Sequence, residues 1–194
     1  MPSAFDVLGR DHQEVKRMLA ELEKGPTAAA GAGEDRLLLR KRMVEELIIE
    51  ESKHEAVEEM YFWPAVRDRL PDGDQLADTA TAQEQEAKQV LDRLDKLQAH
   101  ESEFEQLLAQ FITAAAGHIR YEEDNVWPGM RAALSAQEAD ELGGKLERAK
   151  KTAPTRPHPS TPPNPGVLKG AGPAVAAADR LRDKATGRGQ DYSK

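Results

Sequence analysis

Between Ser3 and Glu23 apolar residues recur at Phe5, Leu8, Val15, Leu19 and Leu22. That alternation of threes and fours marks one face of a helix, and His12 falls on it. Gly25-Pro26 ends the pattern, and the Ala/Gly-rich run to Gly33 reads as a connection. A second helix is predicted from about Glu34 to Trp63, with Val44, Leu47, Glu51, His54, Glu58 and Tyr61 along one stripe. Pro64 sits at or just beyond its end. After the turn Pro71-Asp72-Gly73-Asp74, a third stripe runs through Leu76, Ala80, Glu84, Ala87, Leu91 and Leu94 toward His100. The fourth carries Phe104, Leu108, Phe111, Ala115, His118 and Glu122 and closes at Trp127-Pro128. Four long amphipathic helices on short connections predict an all-α, up-down antiparallel four-helix bundle. A short extra helix from Ser135 to about Lys150 begins on a capping-box pattern, with Glu138 three residues after Ser135.

Residues 1–150 therefore read as one domain. From Thr152 the prolines Pro154, Pro157, Pro159, Pro162, Pro163 and Pro165 exclude regular helix, so residues 151–194 read as a mostly irregular Pro/Gly/Ala-rich basic tail outside the core. At most one weak helix is expected there, from Val175 to Lys184. The tail carries eight Lys/Arg against three Asp, which leaves −13 on residues 1–150 within a total of −8. So acidic a body is a poor nucleic-acid surface, because that affinity rests on neutralising phosphates. No stretch approaches the length of a membrane span, and Met1 to Arg10 lacks a secretion pattern, so a cytoplasmic location is the default expectation. The chain has no cysteine, so any metal must be held by nitrogen and oxygen donors.

Polar residues inside a bundle are unfavourable unless they are paired or ligate something. His54 and Glu58 are four apart, as are His118 and Glu122, so each pair projects from one helix face on successive turns. The flanks match too: His54-Glu55-Ala56-Val57-Glu58-Glu59 and His118-Ile119-Arg120-Tyr121-Glu122-Glu123 both run at the same spacing into Trp-Pro. A second echo pairs Asp11-His12-Gln13-Glu14-Val15-Lys16 with Gln83-Glu84-Gln85-Glu86-Ala87-Lys88, aligning His12 with Glu84. The chain reads as two helix hairpins, each supplying one single-ligand helix and one HxxxE helix, a pattern that suggests a pseudo-symmetric site for two metals. A lone histidine on an apolar stripe is more often a hydrogen-bonded core residue than a ligand, and Glu51 and Glu59 can be read as solvated. Three His and three Glu on the seams of four helices favour metal, with His100 and His158 left as ordinary surface or tail residues.

The two HxxxEE...WP segments and the DHQEVK opening resemble the hemerythrin-like, HHE cation-binding family over roughly residues 3 to 133. The resemblance implies an up-down bundle holding a non-haem di-iron centre, with ligands at His12, His54, Glu58, His118 and Glu122. In the third helix, where the family commonly has a histidine, this chain has Glu84, which can still ligate or bridge iron. Six donors, with the two HxxxE glutamates placed to bridge, leave positions for peroxide, dioxygen or nitric oxide. Zinc fits less well because it favours four-coordinate sites. Ferritin-like carboxylate proteins use Glu-x-x-His on two helices; here Glu51 to His54 matches but position 115 is alanine, so Glu51 is read instead as orienting His54. The resemblance implies either a redox protein reacting with peroxide or dioxygen, catalase-like activity and oxidative-stress or redox homeostasis included, or a sensor of oxygen, nitric oxide or iron or an iron store without turnover. The protein partner is left open: the basic Pro-rich arm could recruit one, with a solvated tail the preferred reading.

Overall fold

The computed structural model describes residues 1–162 and 164–189, whose regular elements are helices, with no strand among the described residues. Pro163, one of the tail prolines considered above, lies outside the described residues. The bundle is formed by α1 (Ala4–Glu23), α2 (Glu34–Val57), α4 (Gly73–Lys96) and α5 (Ser102–Tyr121). Short α3 (Trp63–Arg69) and α6 (Trp127–Ala133) extend α2 and α5, and α7 (Ala136–Lys150) packs on α1 and α2. No helix among the described residues is long and apolar enough to cross a membrane.

The up-down topology can be read from how the apolar residues divide. One buried cluster contains Leu8, Val57, Ala80 and Val126, and a second contains Val15, Ile48, Ala87 and Ile119. Along α1 the chain passes from the first cluster to the second, along α2 it returns, and α4 and α5 repeat the cycle. In each of the four the crossing falls at a polar residue: His12, His54, Glu84 or Glu122. Burial of both clusters supplies the main drive for folding, at roughly 25 cal/mol per Å² of apolar surface removed from water. The polar layer between them is where that drive is locally suspended.

Helix starts follow the residues that cap them. Ser3 accepts from the Asp6 N–H while the Asp6 carboxylate accepts from the Ser3 N–H, and Ser135 and Glu138 make the same reciprocal pair at α7, as the sequence suggested. The expected stops at Trp63-Pro64 and Trp127-Pro128 are not stops. Helix continues to Arg69 and to Ala133. A proline in a regular helix lacks its N–H and presses on the carbonyl four residues back. Here Glu58–Phe62 and Glu122–Val126 each form a π-helical turn, in which the Trp63 N–H donates to the Glu58 carbonyl and the Trp127 N–H to the Glu122 carbonyl. One residue inserted into each turn accommodates the proline.

The tail also departs from expectation. α8 spans Pro165–Thr186, far beyond the anticipated 175–184, and passes through Pro173. Asn164 caps its start by accepting from the Gly166 and Val167 N–H groups, Pro165 sits in its first turn, and Gly187 closes it at φ 71°. Its buried residues Leu168, Gly172, Ala176, Asp179 and Asp183 form one helical stripe, and the helix packs against the Glu58–Phe62 turn. Small and acidic residues on that stripe hid it from an apolar-periodicity reading. Charge anchors the arm: Arg156 lies 3.1 Å from Asp95 and 2.7 Å from Asp183, and Arg188 lies 3.1 Å from Asp95. His158, read above as an ordinary tail residue, pairs with Asp179 at 2.9 Å. The tail therefore packs on the bundle and does not lie outside the core. Deleting residues 152–194 is expected to lower the melting temperature by about 5 °C or more, since buried Leu168 and Ala176 and the arginine cluster are lost together. An unchanged melting temperature would mean that the arm does not pack.

Candidate metal centre

Six side chains meet in the polar layer: His12 of α1, His54 of α2 and Glu58 of the π-helical turn after it, Glu84 of α4, and His118 of α5 and Glu122 of the π-helical turn after it. All are buried except His118, whose side chain is 12% exposed. They fall into two overlapping groups whose donor atoms lie within 4.8 Å of one another: His12, His54, Glu58 and Glu122, and Glu58, Glu84, His118 and Glu122. Every one of the six residues singled out from the sequence is in this cluster, and Glu58 and Glu122 belong to both groups. Glu122 faces both ways. Its Oε2 is 2.8 Å from His12 Nε2 and its Oε1 is 3.5 Å from His118 Nε2. His54 Nε2 lies 3.2 Å from Glu58 Oε2.

Three neighbouring residues hold the far sides of the imidazoles. Glu123 Oε1 is 3.0 Å from His12 Nδ1, and Gln83 Oε1 is 2.9 Å from His118 Nδ1. Asp11 Oδ2 stands 3.5 Å from His54 Nδ1, an ion-pair contact without a hydrogen bond, while its other oxygen accepts from Lys150. With the Nδ1 edges of His12 and His118 hydrogen-bonded and that of His54 facing Asp11, the three Nε2 atoms turn inward. The Trp63 indole N–H donates to Glu84 Oε1. Trp127 stacks on His12 with ring centroids 4.9 Å apart at 11°. The place assigned from the sequence to Glu51, orienting His54, is taken by Asp11. Glu51 is buried nearby, where loss of water lifts its carboxyl to about 6. Glu59, read as solvated, is buried against Lys88.

The supporting residues were not recognisable from helix pattern because each acts across helices. Asp11 adjoins His12 in the chain but serves His54; Glu123 adjoins Glu122 but serves His12; Gln83 adjoins Glu84 but serves His118. Their one sequence signal is adjacency to a seam residue.

Whether the pocket suits a cation can be tested on its polar atoms. The Nε2 atoms of His12, His54 and His118, both oxygens of Glu58 and of Glu122, and Oε2 of Glu84 are buried, and although His12 and Glu122 and His54 and Glu58 approach one another, none of these atoms has a partner in hydrogen-bond geometry. Leaving one such group unsatisfied costs about 1–3 kcal/mol, so this many on one focus would be badly destabilising without something to bind. The charges agree. Burial pushes the Glu58 carboxyl well above its ordinary value, and Glu122 and Glu84 push it further. Burial raises Glu84 as well, with Glu59 next in effect. Burial would also raise Glu122, but His118, His12 and His54 outweigh it and hold that carboxyl at about 2. His118 is held below its ordinary value by burial. Carboxylates forced apart in this way lack positive charge at their common focus, and a donor set of imidazole nitrogens and carboxylate oxygens fits a first-row transition metal.

The comparisons agree with this chemistry. Residues 3–130 match the hemerythrin HHE cation binding domain family. A hemerythrin-like protein of Schizosaccharomyces pombe is 29% identical over 143 residues, covering 73% of this chain and 70% of that protein. The crystal structure of a hemerythrin HHE cation binding domain-containing protein from Mycobacterium kansasii has the same fold, with a TM-score of 0.63 at 22% identity over 92% of this chain and 99% of that one. The match spans most of the bundle and includes every residue of the polar layer, so the chain belongs to the hemerythrin HHE cation-binding family.

Proposed function

We propose that the polar layer holds two iron ions and that the centre reacts with peroxide from a resting diferric state, as part of redox homeostasis. His12 and His54 serve one ion, Glu84 and His118 serve the other, and Glu58 and Glu122 are shared. The observation that carries this reading is the overlap of two four-donor groups on the same two glutamates. One zinc would use four of these donors and leave the remaining buried groups unsatisfied. Bound iron supplies redox capacity and positions for a small ligand such as peroxide, dioxygen or nitric oxide.

The chain's own residues set the bias of that chemistry. Glu84 stands where an imidazole would bring no charge, and it is buried among Glu55, Glu59 and Glu122. A carboxylate in that place stabilises the more highly charged ferric state. Trp63 fixes Glu84 Oε1, which stands 3.9 Å from His118 Nε2, and leaves Oε2 buried without a partner. Asp11, Gln83 and Glu123 keep the imidazoles aimed inward, so the donors need little rearrangement on metal binding. Burial on all sides but that of His118 excludes bulk water and larger substrates.

Hydrogen peroxide added to the iron-loaded protein is expected to be consumed, with one dioxygen evolved for every two peroxides, as followed by an oxygen electrode beside the peroxide absorbance. Peroxide left unconsumed, together with reversible dioxygen uptake by the reduced protein through repeated cycles, would refute the reading in favour of a carrier or sensor.

A further inference from the structure

A second site lies beside the polar layer, where the tail crosses the bundle. A cleft of about 250 Å³ opens between α2, α4, the 154–162 arm and α8. Its polar end is formed by Ser52, Glu55, Glu59 and Lys88, and its apolar wall by Val167, Leu168, Ala171 and Val175 of α8. The cations around it are already engaged: Lys88 holds Glu59, Arg156 holds Asp95 and Asp183, and His158 holds Asp179. The oxygens are not. Glu55 is 2% exposed and Ser52 is 5% exposed, yet Glu55 Oε2 and Ser52 Oγ have no hydrogen-bond partner. The Lys88 ammonium stays 4.0 Å from Glu55 Oε2, beyond hydrogen-bond range, because Glu59 holds it.

We propose that this cleft binds a small organic ammonium ion carrying an alkyl or similarly apolar body. The ammonium would donate to Glu55 Oε2 and Ser52 Oγ, and its body would lie along the α8 wall. Two carboxylates face one lysine at the polar end, and Glu55 Oε2 and Ser52 Oγ are left as acceptors without a donor, so a cationic donor fits where an anion would meet only further oxygens. The apolar wall accounts for the rest of the ligand's surface, in the usual manner of a small-molecule pocket with a few placed polar groups. Because the arm and α8 build one side, the site exists only when the tail is docked. Its Glu55, Glu59 and Lys88 also neighbour Glu84 of the polar layer, so the test is run on protein of fixed metal content.

The test is calorimetric titration of the full-length, metal-loaded protein with hexylammonium chloride, n-hexanol and sodium hexanoate. Hexylammonium is expected to bind with one site per chain, hexanol at least about tenfold more weakly, and hexanoate not at all. Glu55→Gln removes the charge but keeps the shape, and is expected to weaken hexylammonium binding by roughly ten- to a hundredfold. Ala171→Phe, at an exposed position of α8, fills the apolar side without touching the polar end and is expected to abolish binding. It keeps the test decisive even if Glu55→Gln does not fold, and separates this cleft from amine coordination at the metal. The proposal is overturned if wild-type protein gives no saturable heat, if hexanol matches hexylammonium, or if binding survives unchanged in either variant.

Discussion

Replacing Glu122 by alanine is expected to strip the protein of both metals, whereas His118→Ala removes only the metal on the Glu84 side. The difference follows from where the donors stand. Glu122 Oε2 lies beside His12 and Oε1 beside His118, so this one side chain is shared by the two donor groups. His118 belongs to one group only. Loss of a residue that merely orients a ligand lowers metal affinity by about 10- to 100-fold, and loss of a shared ligand should exceed that for both ions. Elemental analysis of each variant after desalting reads the outcome directly. Exposed His100→Ala serves as the control and should retain full metal. Two metals retained in Glu122→Ala would show that the glutamate does not bridge.

The second large effect concerns Glu84. Glu84→His exchanges a buried carboxylate for a neutral donor and is expected to raise the reduction potential of the centre by on the order of 100 mV, because a unit charge a few ångströms from a metal interacts at roughly 4 kcal/mol at an effective dielectric of 20. Slower air oxidation of the reduced protein and slower peroxide turnover should accompany it. Redox titration of wild-type and variant, both verified to hold the same amount of metal, separates this electrostatic effect from simple metal loss. An unmoved potential would mean that Glu84 does not tune the centre.

The bundle and the polar layer were legible because both rest on periodicity. A 3.6-residue repeat places His12, His54, Glu84 and His118 on buried seams, and two HxxxE spacings bring Glu58 and Glu122 to the same level. What was missed depends on exceptions to that repeat or on contacts between helices. The Trp-Pro pairs were read as ends because proline breaks an α-helix, yet a π-helical turn ahead of each lets the helix run on. α8 was missed over most of its length because its docking stripe uses Gly172, Ala176, Asp179 and Asp183 against arginines, where a periodicity search expects large apolar side chains. Glu51 was read as orienting His54 from the Glu-x-x-His spacing alone, and Asp11 was not considered for that place. The partner across the helix interface can be found only once α1 and α2 are packed.

The central claim, that the shared His/Glu cluster is a two-iron centre, is tested most directly by counting metal. Protein expressed aerobically in iron-replete medium and purified without chelators should contain two irons per chain and show a near-ultraviolet charge-transfer absorption that His54→Ala and His118→Ala both diminish. One zinc per chain with no iron, or full iron content and an unchanged spectrum in both variants, would contradict it.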